Sequence, residues 1–273
     1  MYTVTLLTNP ETPALQPAAA DALRNAWGGG DIQWLAADEA CAFNIAEIPE
    51  NRWQVWEDMQ SLKTDMVIQP TATRRKKMLL ADMDSTMIQQ ECIDELAEEA
   101  GVGAHVKDIT ARAMNGELDF EGALTERVAL LKGLPESVID QVLQTRITLM
   151  PGGKTLLATM KANGGYAALV SGGFTAFTSK VAAELGFDEN RANTLTAENG
   201  TLTGEVGRPI LGREAKVLAV GDGANDLGML GRAGTGVALH AKPSVQAQCD
   251  VRVNFGDLTA LLYLQGYAKS EFV

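Results

Sequence analysis

The feature that most constrains this chain is a short apolar run that ends in two aspartates. Met78-Leu79-Leu80-Ala81 leads into Asp82-Met83-Asp84-Ser85-Thr86. The run is brief, apolar and preceded by a basic turn, so it reads as a buried strand. Asp82 and Asp84 then lie just past its carboxyl end, the edge at which open α/β sheets bind ligands. Two carboxylates this close repel unless a cation sits between them. Their hard oxygens favour Mg²⁺ or Ca²⁺ over Zn²⁺. A carboxylate can also attack phosphorus and form an acyl-phosphate. Taken alone, such a pair is more simply a solvated acidic turn or a helix cap. The remainder of the chain decides between these readings.

The 273 residues suffice for one large or two smaller domains, each with a core. There are 23 basic and 35 acidic residues, a net charge of −12. That field repels phosphate backbones and argues against nucleic acid as a partner. It also requires that any phosphate site be neutralised locally by a metal or by Lys and Arg. Cys41, Cys92 and Cys249 are odd in number and far apart, and read as reduced thiols. His105 and His240 are too few for a histidine-based zinc signature. No apolar run reaches the roughly 18 residues that span a bilayer, and the N-terminus has no basic region backed by an apolar core. The expectation is a cytoplasmic protein without a membrane partner.

Residues 1–70 are expected to form one unit. Its pattern predicts strands at Tyr2–Leu7, Ile32–Leu35, Ala40–Ile45 and Asp65–Ile68, with helices at Pro13–Trp27 and Trp53–Leu62. The order β-α-β-β-α-β is ferredoxin-like. Residues 71–77, with Arg74-Arg75-Lys76-Lys77 in a row, read as a solvated basic linker. Residues 78–273 read as a second domain. Helical spacing from Met87 to Arg146 gives four short helices, far more than an ordinary crossover, so an inserted cap is expected over about 87–148. Strands resume at Tyr166–Val170, Val217–Val220, Thr235–Leu239 and Asp250–Asn254. Glu198-Asn199-Gly200-Thr201 marks a hairpin. Alternating strands and helices predict a doubly wound parallel sheet. A parallel crossover needs roughly a dozen residues or more, and the link into Val217–Val220 is too short for one. Either the connection is unusual or residues are missing between about Val217 and Leu218, and we expect the latter.

Three predicted strands end in polar or glycine-rich loops: Asp82–Thr86, Ser171-Gly172-Gly173, and Gly221-Asp222-Gly223-Ala224-Asn225-Asp226. In a parallel sheet these edges converge. Asp82, Asp84, Asp222 and Asp226 in one crevice require a divalent cation. Glycine lets the backbone approach a phosphate closely, and Lys216, just before the third strand, can add positive charge.

The order D-x-D-S-T, S-G-G, Lys, G-D-G-x-N-D resembles the haloacid dehalogenase superfamily of phosphohydrolases over about residues 78–255. The segments Met114–Phe120 and Arg127–Leu134 resemble the cap of the phosphoserine phosphatases in that superfamily. Residues 1–70 are similar to the regulatory ACT-like domains that some of these enzymes carry. The resemblance implies Mg²⁺-dependent hydrolysis of O-phospho-L-serine, the last step of serine synthesis. It implies that Asp82 is the nucleophile and Asp84 the general acid and base. Asp82, the Asp84 carbonyl and Asp222 would hold Mg²⁺, with Asp226 in support. Ser171, Gly172 and Lys216 would hold the phosphoryl oxygens and Asn225 would orient them. In the cap, Glu91 would meet the substrate ammonium and Arg127 its carboxylate. Met114 and Phe120 would close the apolar side. A homodimer is compatible with this reading.

Each of these residues also has a plainer role. Glu91 suits a helix N-terminus on dipole grounds. Arg127 can pair with Asp119 or Glu121 on the surface, Met114 and Phe120 can be core, and Ser171 can cap a helix. Other functions to weigh are a phosphatase or phosphotransferase acting on another small phosphomonoester, and a catalytically idle amino-acid-binding protein with residues 1–70 as sensor. Gly153-Lys154-Thr155 is not a P-loop, because Thr148 stands where its first glycine belongs.

Overall fold

In the computed structural model, residues 1–114, 117–208 and 218–273 are described. The first strand is β1 (Tyr2–Leu7), followed by α1 (Pro17–Ala26), β2 (Gln33–Ala36), β3 (Ala40–Ile45), α2 (Arg52–Ser61) and β4 (Asp65–Pro70). The strands form an antiparallel sheet in the order β2-β3-β1-β4, the ferredoxin-like arrangement that the sequence predicts. Its core is Val4, Leu6, Leu23, Phe43, Ile45 and Met66. Val4 and Leu6 alternate along β1, as a strand with one face on a helical layer requires.

The second sheet has six strands in the order β12-β11-β10-β5-β6-β7. They are β5 (Met78–Ala81), β6 (Tyr166–Phe174), β7 (Glu189–Asn193), β10 (Leu218–Gly221), β11 (Thr235–Leu239) and β12 (Val251–Val253). The recorded pairs β6–β7, β10–β11 and β11–β12 are parallel. A central parallel strand is covered on both faces. That accounts for the unbroken run at Leu79, Leu80 and Ala81, all buried. Flanking helices are α7 (Gly153–Ala162), α8 (Thr175–Leu185), α9 (Leu227–Arg232), α10 (Pro243–Gln246) and α11 (Ala260–Leu264). After β5 come the four predicted helices, α3 (Cys92–Glu99), α4 (Gly103–Met114), α5 (Phe120–Ala129) and α6 (Val138–Thr145). The fold is an α/β parallel-sheet domain with an inserted helical cap, preceded by a ferredoxin-like domain.

By contact density the chain divides into two units. One comprises Met1–Leu79, Pro151–Ala167 and Ala215–Val273. Within it the antiparallel sheet is tied to the C-terminal segment through buried polar groups. Asp65 accepts the backbone N–H groups of Asn254, Phe255 and Gly256 at 2.8, 2.8 and 3.0 Å. The Tyr263 hydroxyl donates to Glu39 at 2.6 Å. The basic run 74–77 is not wholly solvated as expected. Arg74 donates to the carbonyls of Tyr263 and Leu264, both at 3.2 Å, and Arg75 lies 3.9 Å over the Tyr267 ring. These two carbonyls sit at the end of α11, whose dipole attracts cations, and that of Tyr263 also accepts the Gly266 N–H at 2.9 Å.

The other unit comprises Leu80–Met150 and Ala168–Glu214. It holds α3–α6 and the hairpin of β8 (Leu195–Glu198) and β9 (Thr201–Val206). Asn199 and Gly200 have φ of 51° and 76°, the left-handed pair that an Asn-Gly hairpin turn requires. The hairpin pairs with the segment before α6: Gly133 donates to the Leu202 carbonyl and Glu136 to that of Gly200, at 2.9 and 2.8 Å.

Three features differ from expectation. Helix α7 has no counterpart in the sequence reading. β6 continues through Ser171-Gly172-Gly173 to Phe174, with a register shift against β7 after Val170. Strand β7 has no counterpart in the sequence reading either. The expected gap between Val217 and Leu218 lies outside the described residues. Among these residues, no helix is long and apolar enough to cross a membrane.

Candidate active site

β5 ends at Ala81, and the next residues turn sharply. Ser85 sits at φ 52°, and Met83 receives backbone bonds from Thr86, Met87 and Ile88 at 3.3, 2.8 and 3.0 Å. The turn leaves Asp82 and Asp84 buried at 3% and 8% exposure, on the carboxyl edge of the sheet. Asp82 Oδ1 accepts the Met83 N–H at 2.6 Å.

Both oxygens of Asp84 are engaged. Oδ1 takes the backbone N–H of Cys92, the first residue of α3, at 2.8 Å. Oδ2 takes the Ser171 hydroxyl at 3.0 Å. An unpaired amide in the first helical turn is a natural partner for an anion. Ser171 is itself buried and accepts the Gly173 N–H at 2.9 Å. A Cβ at Gly173 would come within 2.8 Å of Asp84 Oδ2, so only glycine fits beside that carboxylate. The capping role weighed for Ser171 does not hold, because α8 begins after Phe174 and the hydroxyl is turned to Asp84. The Gly172 carbonyl accepts the Asn193 side-chain amide at 2.9 Å.

The third loop follows β10. Asp226, fully buried, accepts the N–H groups of Asp222 and Gly223 at 3.2 and 3.0 Å. A Cβ at Gly221 would come within 2.5 Å of the Asp226 carboxylate, which makes glycine obligatory there too. Carboxylate oxygens of Asp82, Asp222 and Asp226 all lie within 4.8 Å of one another. Three such anions, two of them buried, repel strongly in a medium less polarisable than water. The donor set is all oxygen and hard, which fits a divalent cation of the Mg²⁺ class and not a soft metal. The Asp84 carboxylate is not in that group.

In the cap segment, Glu91 is exposed at the N-cap of α3 and accepts the Ser85 hydroxyl at 2.9 Å. Arg127, half-buried on α5, donates Nε to the Ala123 carbonyl at 3.2 Å. Burial pushes its guanidinium pKa down, and the carboxylates of Asp94, Glu91 and Asp84 partly restore it. Its surface alternatives are otherwise engaged: Asp119 caps α5 through Gly122 at 2.7 Å, and Glu121 pairs with Arg208 at 2.8 Å. Phe120 is 40% exposed. Lys216 and the side chains of Met114 and Asn225 lie outside what is described.

Asp94, Asn193 and the Cys92 amide belong to this neighbourhood but were not singled out in the sequence. Asp94 carries one available signal: it stands three residues after Glu91, on the same helical face. Burial pushes its pKa up, opposed by Arg127. Asn193 and the Cys92 amide have no local signal.

Relatives match in sequence and in structure. A protein of Haemophilus influenzae named phosphoserine phosphatase is 46% identical over 204 residues, covering 68% of this chain and 65% of that protein. The chain thus spans about two thirds of that relative's length. A solved hydrolase from Salmonella enterica serovar Typhi superposes with a TM-score of 0.84 at 30% identity, covering 97% of this chain and 99% of that one. A structure described as a phospho-aspartyl intermediate analogue of phosphoserine phosphatase has a TM-score of 0.62 at 39% identity, covering 69% and 98%. The haloacid dehalogenase-like hydrolase pattern matches residues 79–231, a stretch that contains both β5 with its aspartates and the Asp222–Asp226 loop. On this evidence the chain belongs to the haloacid dehalogenase-like hydrolase family.

Proposed function

We propose that this protein is a Mg²⁺-dependent phosphatase that hydrolyses O-phospho-L-serine through an aspartyl-phosphate. The observation that carries the reading is the approach of Asp82 to Asp222 and Asp226 within 4.8 Å, beside an Asp84 anchored by Ser171 and the Cys92 amide. The phosphoserine phosphatase relatives support the choice of substrate.

Asp82, Asp222 and Asp226, with the Asp84 carbonyl, would hold Mg²⁺. The ion supplies charge neutralisation for the acidic cluster and for the phosphoryl oxygens. An Asp82 oxygen attacks phosphorus in line with the serine oxygen. The P–O bond to serine breaks as the new bond to Asp82 forms, and the leaving oxygen takes a proton from Asp84. Water then attacks the phosphorus of the aspartyl-phosphate. Asp84 accepts the water proton, the Asp82–phosphorus bond breaks, and phosphate leaves with Asp82 restored. Glu91 and Arg127 bind the substrate ammonium and carboxylate, and Ser171, Gly172, Lys216 and Asn225 hold or orient the phosphoryl group. Met114 and Phe120 close over the apolar side. Helix α3 links the two tasks, because it carries Glu91 at its cap and fixes Asp84 through its first amide.

The test is phosphate release from O-phospho-L-serine, with Mg²⁺ present and after chelation. Turnover that requires Mg²⁺ supports the reading. Absence of turnover at any Mg²⁺ concentration, from folded protein, removes it.

A further inference from the structure

A cavity of about 500 Å³ opens between the antiparallel sheet with α2 and the amino ends of β11 and β12. Asp222 follows the carboxyl end of β10, which runs parallel to β11, so the cavity lies at the opposite edge of these strands from the acidic cluster. It needs a separate explanation.

The walls are apolar and aromatic: Trp53, Trp56, Ile68 and Leu230 face the space. The two tryptophans are fixed. Their rings meet edge to face at 75°, with centroids 6.2 Å apart. The Arg252 guanidinium lies 4.2 Å over Trp53 and 5.1 Å over Trp56, and its Nε donates to the Cys249 carbonyl at 2.8 Å. This clamp joins α2 to β12, so the pocket is formed before a ligand arrives. Its volume is in the range of small-molecule sites, roughly 300–1,000 Å³.

Two charged side chains line it, Arg52 and Asp250. Arg52 rests 5.2 Å over the Trp53 ring and makes no ion pair with a carboxylate among the described residues. In a chain of net charge −12, a guanidinium facing an apolar cavity without a counter-ion is a point of attraction for an anion. Asp250 is exposed and disfavours a ligand of higher negative charge. A cationic ligand, which tryptophans otherwise attract, meets the positive charges of Arg52 and Arg252 already stacked on these rings.

We propose that this cavity binds a small planar aromatic monoanion, its ring packed against Trp53 and Trp56 and its acid group on Arg52. The binding is independent of the phosphatase reading. It is tested by calorimetric titration of the full chain with 1-naphthalenesulfonate and, separately, with the uncharged 1-naphthalenemethanol. The sulfonate is expected to saturate one site per chain. Arg52→Gln should weaken the sulfonate about tenfold, the scale of one charge-assisted contact, and leave the alcohol within about twofold. Thr235→Trp, which fills the cavity from the start of β11, should weaken both, with circular dichroism reporting the fold. Failure of the sulfonate to saturate overturns the proposal, as does an Arg52→Gln effect that is equal for the two compounds. If Thr235→Trp does not fold, the Arg52→Gln comparison alone decides.

Discussion

The Ser171 hydroxyl donates to Asp84 Oδ2 at 3.0 Å, across 87 positions of sequence. The bond joins β6 to the turn after β5, and with the Cys92 amide on Oδ1 it leaves Asp84 little freedom to rotate. The general-acid role proposed for Asp84 requires that its carboxyl be held where a proton is needed. Ser171→Ala removes one of the two restraints and leaves a buried anion short of a donor. Hydrogen bonds to charged groups contribute about 1.5–3 kcal/mol, which corresponds to a fall in kcat of about 10- to 150-fold. Steady-state assays on phosphoserine check this, and a kcat within twofold of the parent would show that Asp84 does not depend on Ser171.

Asp82→Asn should abolish turnover, by at least about 10³-fold, because it removes the proposed nucleophile. The same change has a second consequence that needs no activity. It takes one anion out of the group that lies within 4.8 Å, so without metal the repulsion falls and thermal stability should equal or exceed that of the parent. Mg²⁺ should then raise the melting temperature less than it does for the parent, since stabilisation by a ligand follows its affinity for the folded state. Melting curves in chelator and in Mg²⁺ read both effects. A large loss of stability in chelator would mean that Asp82 is held by contacts stronger than the repulsion.

Sequence patterns revealed those parts of the protein that rest on local chemistry. The Asn199-Gly200 turn is encoded by two residues that tolerate left-handed backbone. β5 and its aspartates announce themselves by an apolar run that stops at acid. Helix α7 was hidden because its start offers no capping hydroxyl or acid: Gly152, at φ 78°, precedes Gly153 and Lys154. Ser171 stood out in the sequence as a candidate, but its bond to Asp84 did not. Asn193 holds the Gly172 carbonyl from 21 positions away, and the Arg74 guanidinium finds its carbonyls 189 and 190 positions away. Nothing near these residues in sequence specifies such partners; the fold alone brings them together.

Arg127→Gln should separate substrates. A guanidinium opposite a carboxylate gives charge-assisted and bidentate contacts, whereas p-nitrophenyl phosphate has no carboxylate to offer. The expected result is a KM for phosphoserine raised about 10- to 100-fold, with p-nitrophenyl phosphate unchanged within about twofold. Arg127 is half-buried, and Asp94 and Glu91 contribute to its field. Asp94→Asn should therefore shift the phosphoserine KM in a milder way. Equal losses on both substrates for Arg127→Gln would refute the amino-acid assignment.

Asp65 offers a test of how the antiparallel sheet is fastened to the C-terminal segment. Its carboxylate is fully buried and accepts three backbone N–H groups from Asn254, Phe255 and Gly256. Burial raises its pKa above the ordinary 3.8, while the three amides and the charge of His240 oppose the rise without cancelling it. A carboxyl group whose pKa is higher folded than unfolded binds more protons in the native state. Its contribution to stability is therefore complete below the unfolded value, near pH 4, and is lost as pH rises through the higher folded value. Asp65→Asn cannot titrate and has only one oxygen for three donors. It should lower stability by about 1–3 kcal/mol at low pH, and the difference from the parent should shrink as pH rises through that window. Urea midpoints between pH 4 and pH 8 measure it, and a difference that grows with pH would show that the amides, not burial, set the pKa of Asp65.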